Sequence, residues 1–203
     1  MSFLDSIKNA ALSALKRESR KAVNKAVNTA VQNIGKGRNH TEKFTFTALP
    51  ANVDELKALP EAKLDTAFRT TALTILALSR YEADPDAAFA MLSFLKGPEE
   101  LTTSEKSFIK ERLTDKEYKV RSFFEGAAPE NDYTPNKPYV ISVIENPYSF
   151  DNENWATLYV TSGGADNPRH IKLRKKPSTG EWFLNDIQCL GDIGLPKSED
   201  KWA

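Results

Sequence analysis

The stretch that decides the fold runs from Tyr139 to Ile187: Tyr139-Val-Ile-Ser-Val-Ile144, Trp155-Ala-Thr-Leu-Tyr-Val-Thr161, His170-Ile-Lys-Leu-Arg-Lys175 and Glu181-Trp-Phe-Leu184. Each run is short and rich in β-branched or aromatic residues. Turn formers lie between them: Asn146-Pro147, Gly163-Gly164, Asn167-Pro168 and Pro177-Ser-Thr-Gly180. Short β-rich runs with this punctuation predict three or four consecutive antiparallel strands, a meander. Gly180, free to take positive φ, suits the turn that precedes Trp182.

Upstream of the meander the period changes. Lys43-Phe-Thr-Phe-Thr-Ala48 alternates as a strand does and ends at Leu49-Pro50. Asn52 suits the cap of a short helix over 53–59 that Pro60 stops. Asp65 opens a longer helix through Phe68, Leu73, Ile75, Leu76 and Leu78 to Tyr81, apolar on more than one face and therefore buried on several sides. Asp84-Pro85 starts its antiparallel partner, lined by Phe89, Met91, Leu92 and Leu95 and closed by Gly97-Pro98. Ser104-Glu105 marks a third helix with Phe108, Ile109 and Leu113. The loop 126–138 delivers the chain into the sheet. Strand, helices, then a run of strands is an α+β arrangement, with helices on one face of an antiparallel sheet. A half-open cone of the nuclear-transport-factor-2-like kind is a variant with the same element order.

Charge divides the 203 residues differently. Residues 1–38 carry eight Lys and Arg against Asp5 and Glu18, a net +6, so the remaining 165 residues sum to −6. Phe3, Leu4, Ile7, Ala11, Leu12 and Leu15 fall at helical spacing, and Ala-Val pairs continue the stripe to Ile34. No proline or glycine interrupts it before Gly35-Lys-Gly37, which supplies a stop and a linker. The expected organisation is a basic amphipathic helical arm and linker over 1–38 and an α+β domain over 39–203. The arm offers Leu4, Ile7, Lys16, Arg17, Arg20 and Lys21 for contacts. An unknown protein partner or self-association through residues 2–34 is the plainest use of such a stripe. An anionic membrane surface is the sharper one, with the cations at the headgroups. Nucleic acid is disfavoured, because no aromatic is interleaved with the charges.

Several chemistries lack their parts. The two histidines, His40 and His170, stand in no hydrolase motif, and Cys189 has no second cysteine. No zinc-ligand spacing, phosphate loop or twelve-residue calcium loop occurs, so neither metal nor cofactor is implied. No apolar run approaches the ~20 residues of a spanning helix. Asp5 and Lys8 interrupt the apolar core that a signal peptide would need. The expected location is the cytoplasm, peripheral at the membrane if the arm binds lipid.

One charge pattern is ordered. The strand period puts Ile171 and Leu173 on one face of the sheet and His170, Lys172, Arg174 and Lys176 on the other. Tyr159 and Trp155 lie beside that row, and Arg169 stands at its start. Carboxylates on neighbouring strands would make the row an ordinary solvated face; an anionic partner would make it a site. The loop aromatics Tyr133, Tyr148, Phe150 and Trp155 are read in two ways, as plugs that close the end of the sheet or as the rim of a groove. As plugs, Trp155→Ala would cost on the order of 3–5 kcal/mol.

Five blocks carry a resemblance: Phe44-Thr-Phe-Thr-Ala-Leu-Pro50, Arg121-Ser-Phe-Phe-Glu-Gly126, Glu130-Asn-Asp-Tyr-Thr-Pro135, Glu145-Asn-Pro-Tyr-Ser-Phe150 and Lys172-Leu-Arg-Lys-Lys-Pro-Ser-Thr-Gly-Glu-Trp-Phe183. With the basic arm and Gly35-Lys-Gly-Arg-Asn39, the chain resembles an uncharacterised family of cytoplasmic proteins from Gram-positive, often gut-dwelling, bacteria. The resemblance implies an intracellular bacterial protein and transfers no catalytic residue. Two functions follow as expectations. The preferred one is a non-enzymatic binding or adaptor module with a docking or oligomerisation arm. The alternative is a small-molecule-binding or catalytic domain, with an aromatic-lined pocket between sheet and helices.

Overall fold

The computed structural model describes residues 39–202; the arm residues Leu4, Ile7, Lys16, Arg17, Arg20 and Lys21 lie outside them. Within the described residues the fold is α+β. Five strands, β1 (Thr41–Phe46), β2 (Tyr139–Ile144), β3 (Trp155–Val160), β4 (Arg169–Lys175) and β5 (Trp182–Ile187), form one antiparallel sheet in chain order. The meander predicted over 139–187 is thus β2–β5. The alternating strand before the helices returns to pair with its first member, Phe44 opposite Ile141. Gly180, at φ +80°, donates its N–H to the Lys176 carbonyl at 2.8 Å and closes the β4–β5 hairpin.

Alternation then sets two faces. Phe44, Phe46, Ile141, Val143, Leu158, Val160, Ile171, Leu173, Leu184 and Ile187 point inward and are buried. The helices α1 (Val53–Lys57), α2 (Ala67–Ser79), α3 (Pro85–Lys96), α4 (Thr103–Leu113) and α5 (Tyr118–Arg121) complete the fold. The long helix α2 packs on β2 to β5 on one side and on α3 and α5 on others. That is why its apolar residues spread round the helix. Leu73, Ile75 and Leu76 are each fully buried, worth ~1.5–3 kcal/mol apiece in transfer free energy. The side chains of α2 fill the space beneath β2 to β5.

Two caps sit elsewhere than the sequence suggests. Thr66, not Asp65, caps α2: its backbone is extended and its hydroxyl accepts from the Arg69 N–H at 3.2 Å. Asp65 instead pairs with the Arg69 guanidinium at 2.7 Å. Thr102, not Ser104, caps α4, because only Thr102 stands three residues before Glu105 in a reciprocal capping box. The Thr102 hydroxyl accepts from the Glu105 N–H at 3.2 Å, and the Glu105 carboxylate accepts from the Thr102 N–H at 2.8 Å.

The loop that enters the sheet is held by the C-terminal segment. The Tyr133 hydroxyl donates to the Gly194 carbonyl at 2.8 Å, and the Ser198 N–H donates to the Asp132 carboxylate at 3.0 Å. Cys189 is fully buried, which pushes its thiol up to about 12. No helix among the described residues is long and apolar enough to cross a membrane.

Candidate functional site

The register of β3, β4 and β5 builds three cross-strand rows on the face turned away from the helices. Trp155, Arg174 and Phe183 form the first row, Thr157, Lys172 and Asp186 the second. Tyr159 lies opposite His170 in the third, with ring centroids 6.0 Å apart, and His170 is hydrogen-bonded to Gln188. In the first row the Arg174 guanidinium sits 5.3 Å from the Trp155 ring centre, in cation–π range.

The row ends at a break between helices. After Lys96, Gly97 turns the chain at φ +67°, and a Cβ there would lie 2.3 Å from the Phe183 ring. Glycine is required on both counts, strain and space. This close approach seats Pro98 and Glu99 beside β4–β5, with the Glu99 carboxylate 3.6 Å from Arg174. A cleft of about 240 Å³ results, and Lys96, Arg174, Lys175 and Lys176 line it together with Phe183 and Glu99. Glu99 is the one carboxylate of that lining. Among the described residues Lys175 and Lys176 have no ion-pair partner.

Lys96 also borders a second groove, of about 330 Å³, between α4 and β5. Its apolar wall is Leu101, Phe108 and Ile109 facing Leu184 and Ile187. Lys96 is only 7% exposed and is satisfied by the Glu105 carboxylate, to which it donates at 2.5 Å. Burial pulls the Glu105 carboxyl upward, but the hydrogen bonds from Lys96 and Thr102 outweigh it and hold the group below its ordinary value. Phe108 is 38% exposed at the groove's mouth, with Arg112 over its ring at 5.4 Å. Such a corner attracts carboxylates or phosphates and offers flat apolar surface beside them.

The structure divides the residues proposed from sequence. Trp155, Tyr159, Lys172 and Arg174 share the outer face, with Arg174 at the cleft. Lys172 faces Asp186 in the register, so part of the cation row is the ordinary opposed face. Arg169 has the parity of Ile171 rather than of Arg174, and its guanidinium donates to the Asp192 carbonyl instead of joining the row. Tyr133 is fully buried and stacked on Tyr118 at 5.5 Å, so it belongs to the core and not to a rim. Phe150 packs edge-on against Trp182. Tyr148 stands 75% exposed in the β2–β3 loop. The loop aromatics are therefore plugs in two cases and surface in two. Lys96, Glu99, Leu101 and Phe183 escaped the sequence reading. The signals that point to them are the Gly97-Pro98 break and the run Lys175-Lys176-Pro177.

Residues 48–197 match the family described as Domain of unknown function (DUF6935). The chain belongs to this family. No curated protein and no solved structure matches the chain. The match spans every element but β1 and includes the whole β4–β5 corner.

Proposed function

We propose that this DUF6935 protein is a non-enzymatic binding or adaptor module whose β4–β5 corner engages anionic groups of a partner. The supporting observation is a cleft lined by Arg174 and Lys176 with a single carboxylate, Glu99, and flanked by Trp155 and Phe183. Lys175 also lines it, with its ammonium over the Trp182 ring, and Lys96 at its inner end is already paired with Glu105. Each exposed cation contributes ~0–1 kcal/mol to such a contact, so the binding is modest and weakens with salt. Residues 2–34 act as the docking or oligomerisation element. The setting is the bacterial cytoplasm, in line with the resemblance noted above. The alternative, a small-molecule-binding or catalytic domain, would use the groove of about 330 Å³ between α4 and β5, because α2 fills the space beneath the centre of the sheet.

The test is fluorescence anisotropy of labelled polyglutamate with the full chain. Lys175→Glu with Lys176→Glu should weaken binding by about tenfold, whereas Lys16→Glu with Lys21→Glu should change it little. The reverse pattern would place the anion on the arm and discard the corner.

A further inference from the structure

The backbone of β5 adds a feature that charge alone does not require. The Lys176 N–H donates to the Glu181 carbonyl at 2.8 Å, which fixes the phase of the β4–β5 ladder. Alternation then turns the N–H and C=O of Trp182 and Leu184 away from β4, toward the sheet's outer edge. The Lys175 N–H, bonded to the Asn154 carbonyl on the β3 side at 2.8 Å, has the matching phase. The outward groups of Trp182 are already taken: its N–H donates to the Leu64 carbonyl at 2.7 Å, and its C=O accepts from the Thr70 hydroxyl at 2.8 Å. For Leu184 no such partner exists among the described residues. Beyond the register shift after Lys172, the pairing of Ile171 with Ile187 turns Ile187 outward in the same way.

These open groups face the larger groove, which five consecutive residues, Leu184 to Gln188, line on the strand side. The helix α4 forms the opposite wall through Ser104, Glu105, Phe108 and Ile109. The groove and the cationic cleft share Lys96, Leu184 and Asn185, so together they follow the strand for about six residues, ~20 Å. One end is apolar, at Leu101 and Phe108; the other is cationic, at Arg174 and Lys176. An edge strand with unpaired amides, walled by a helix, is the geometry that accepts an extended peptide as an added strand.

We infer that the β5 edge takes an extended segment of a partner protein, apolar at the Phe108 end and acidic at the Lys175–Lys176 end. This rests on the anion-binding reading of the cleft and names the partner's chemistry. The cationic end selects acidic residues in that segment by charge complementarity. The extra residue that the register shift places in β5 bars a long, regular strand of another sheet. A short flexible segment is what remains.

The experiment selects peptides from a displayed library of short random sequences on the full-length protein. The best peptide is then resynthesised with alternate backbone nitrogens methylated. Enriched sequences should pair a bulky apolar residue with acidic residues a few positions away. Methylation should lower affinity by about tenfold or more, and the free peptide should slow amide exchange at Leu184 and Ile187. Phe108→Ala and Lys175→Glu should each weaken binding. If Lys175→Glu weakens binding while methylation and Phe108→Ala do not, the strand-addition inference fails and the anionic cleft stands. Enrichment of no sequence, or of sequences indifferent to Lys175→Glu, overturns both.

Discussion

Trp155 and Leu76 illustrate how far a side chain's identity determines its role. Both are large apolar residues in β-rich or helical runs, yet Leu76 is fully buried under the sheet and Trp155 is 38% exposed on its other face. Leu76→Ala should cost on the order of 2–5 kcal/mol, the transfer term plus a cavity. Trp155→Ala should cost only ~1 kcal/mol, half-exposed area plus one cation–π contact with Arg174. Urea denaturation of the two variants checks both. This replaces the larger loss expected of Trp155 as a plug. The parity of Ile171 and Leu173 against Lys172 and Arg174 is written in the sequence, because a strand's period of two needs no neighbour to define it. The burial of Tyr133 is not. It depends on Tyr118 and on Gly194, which lies sixty-one residues further on.

Element by element, the legible parts are those that local chemistry decides. Asn52 before α1 and Asp84-Pro85 before α3 are capping signals, and both act as caps. At the start of α4 residue type alone favours Ser104 over Thr102, and the reciprocal bond to Glu105 decides for Thr102. That bond gives α4 a pH-dependent component. The folded Glu105 carboxyl lies below its ordinary value, held there against burial by Lys96 and Thr102. Its stabilisation is therefore full above the unfolded pKa and is lost as pH falls through the lower folded one. Thr102→Val should cost about 1 kcal/mol at neutral pH. It should also flatten the decline of stability on the acid side, which thermal melts across an acid series would reveal. An unchanged acid limb would mean that the capping box does not hold Glu105.

For the whole molecule, the α+β class was legible because the order of periods, strand then helices then strands, fixes the layers. The pairing of β1 with β2 was not, for it closes a contact across nearly a hundred residues that no local signal announces. Neither was the corner, where Lys96 and Gly97 from a helix end meet Arg174 and Phe183 from a hairpin. The described residues hold a continuous core of their own. Limited proteolysis should therefore cut first near Lys36 or Arg38, and a chain starting at residue 39 should still unfold in one cooperative step. Loss of that step on truncation would make residues 1–38 part of the core. The corner itself is tested most directly by NMR titration of the isotope-labelled full chain with polyglutamate. The account predicts that the indole N–H of Trp155 and the amides of Arg174, Lys175 and Lys176 shift together, while the buried Leu73 and Leu76 stay still. Shifts confined to residues 1–38, with Trp155 unmoved, would contradict it.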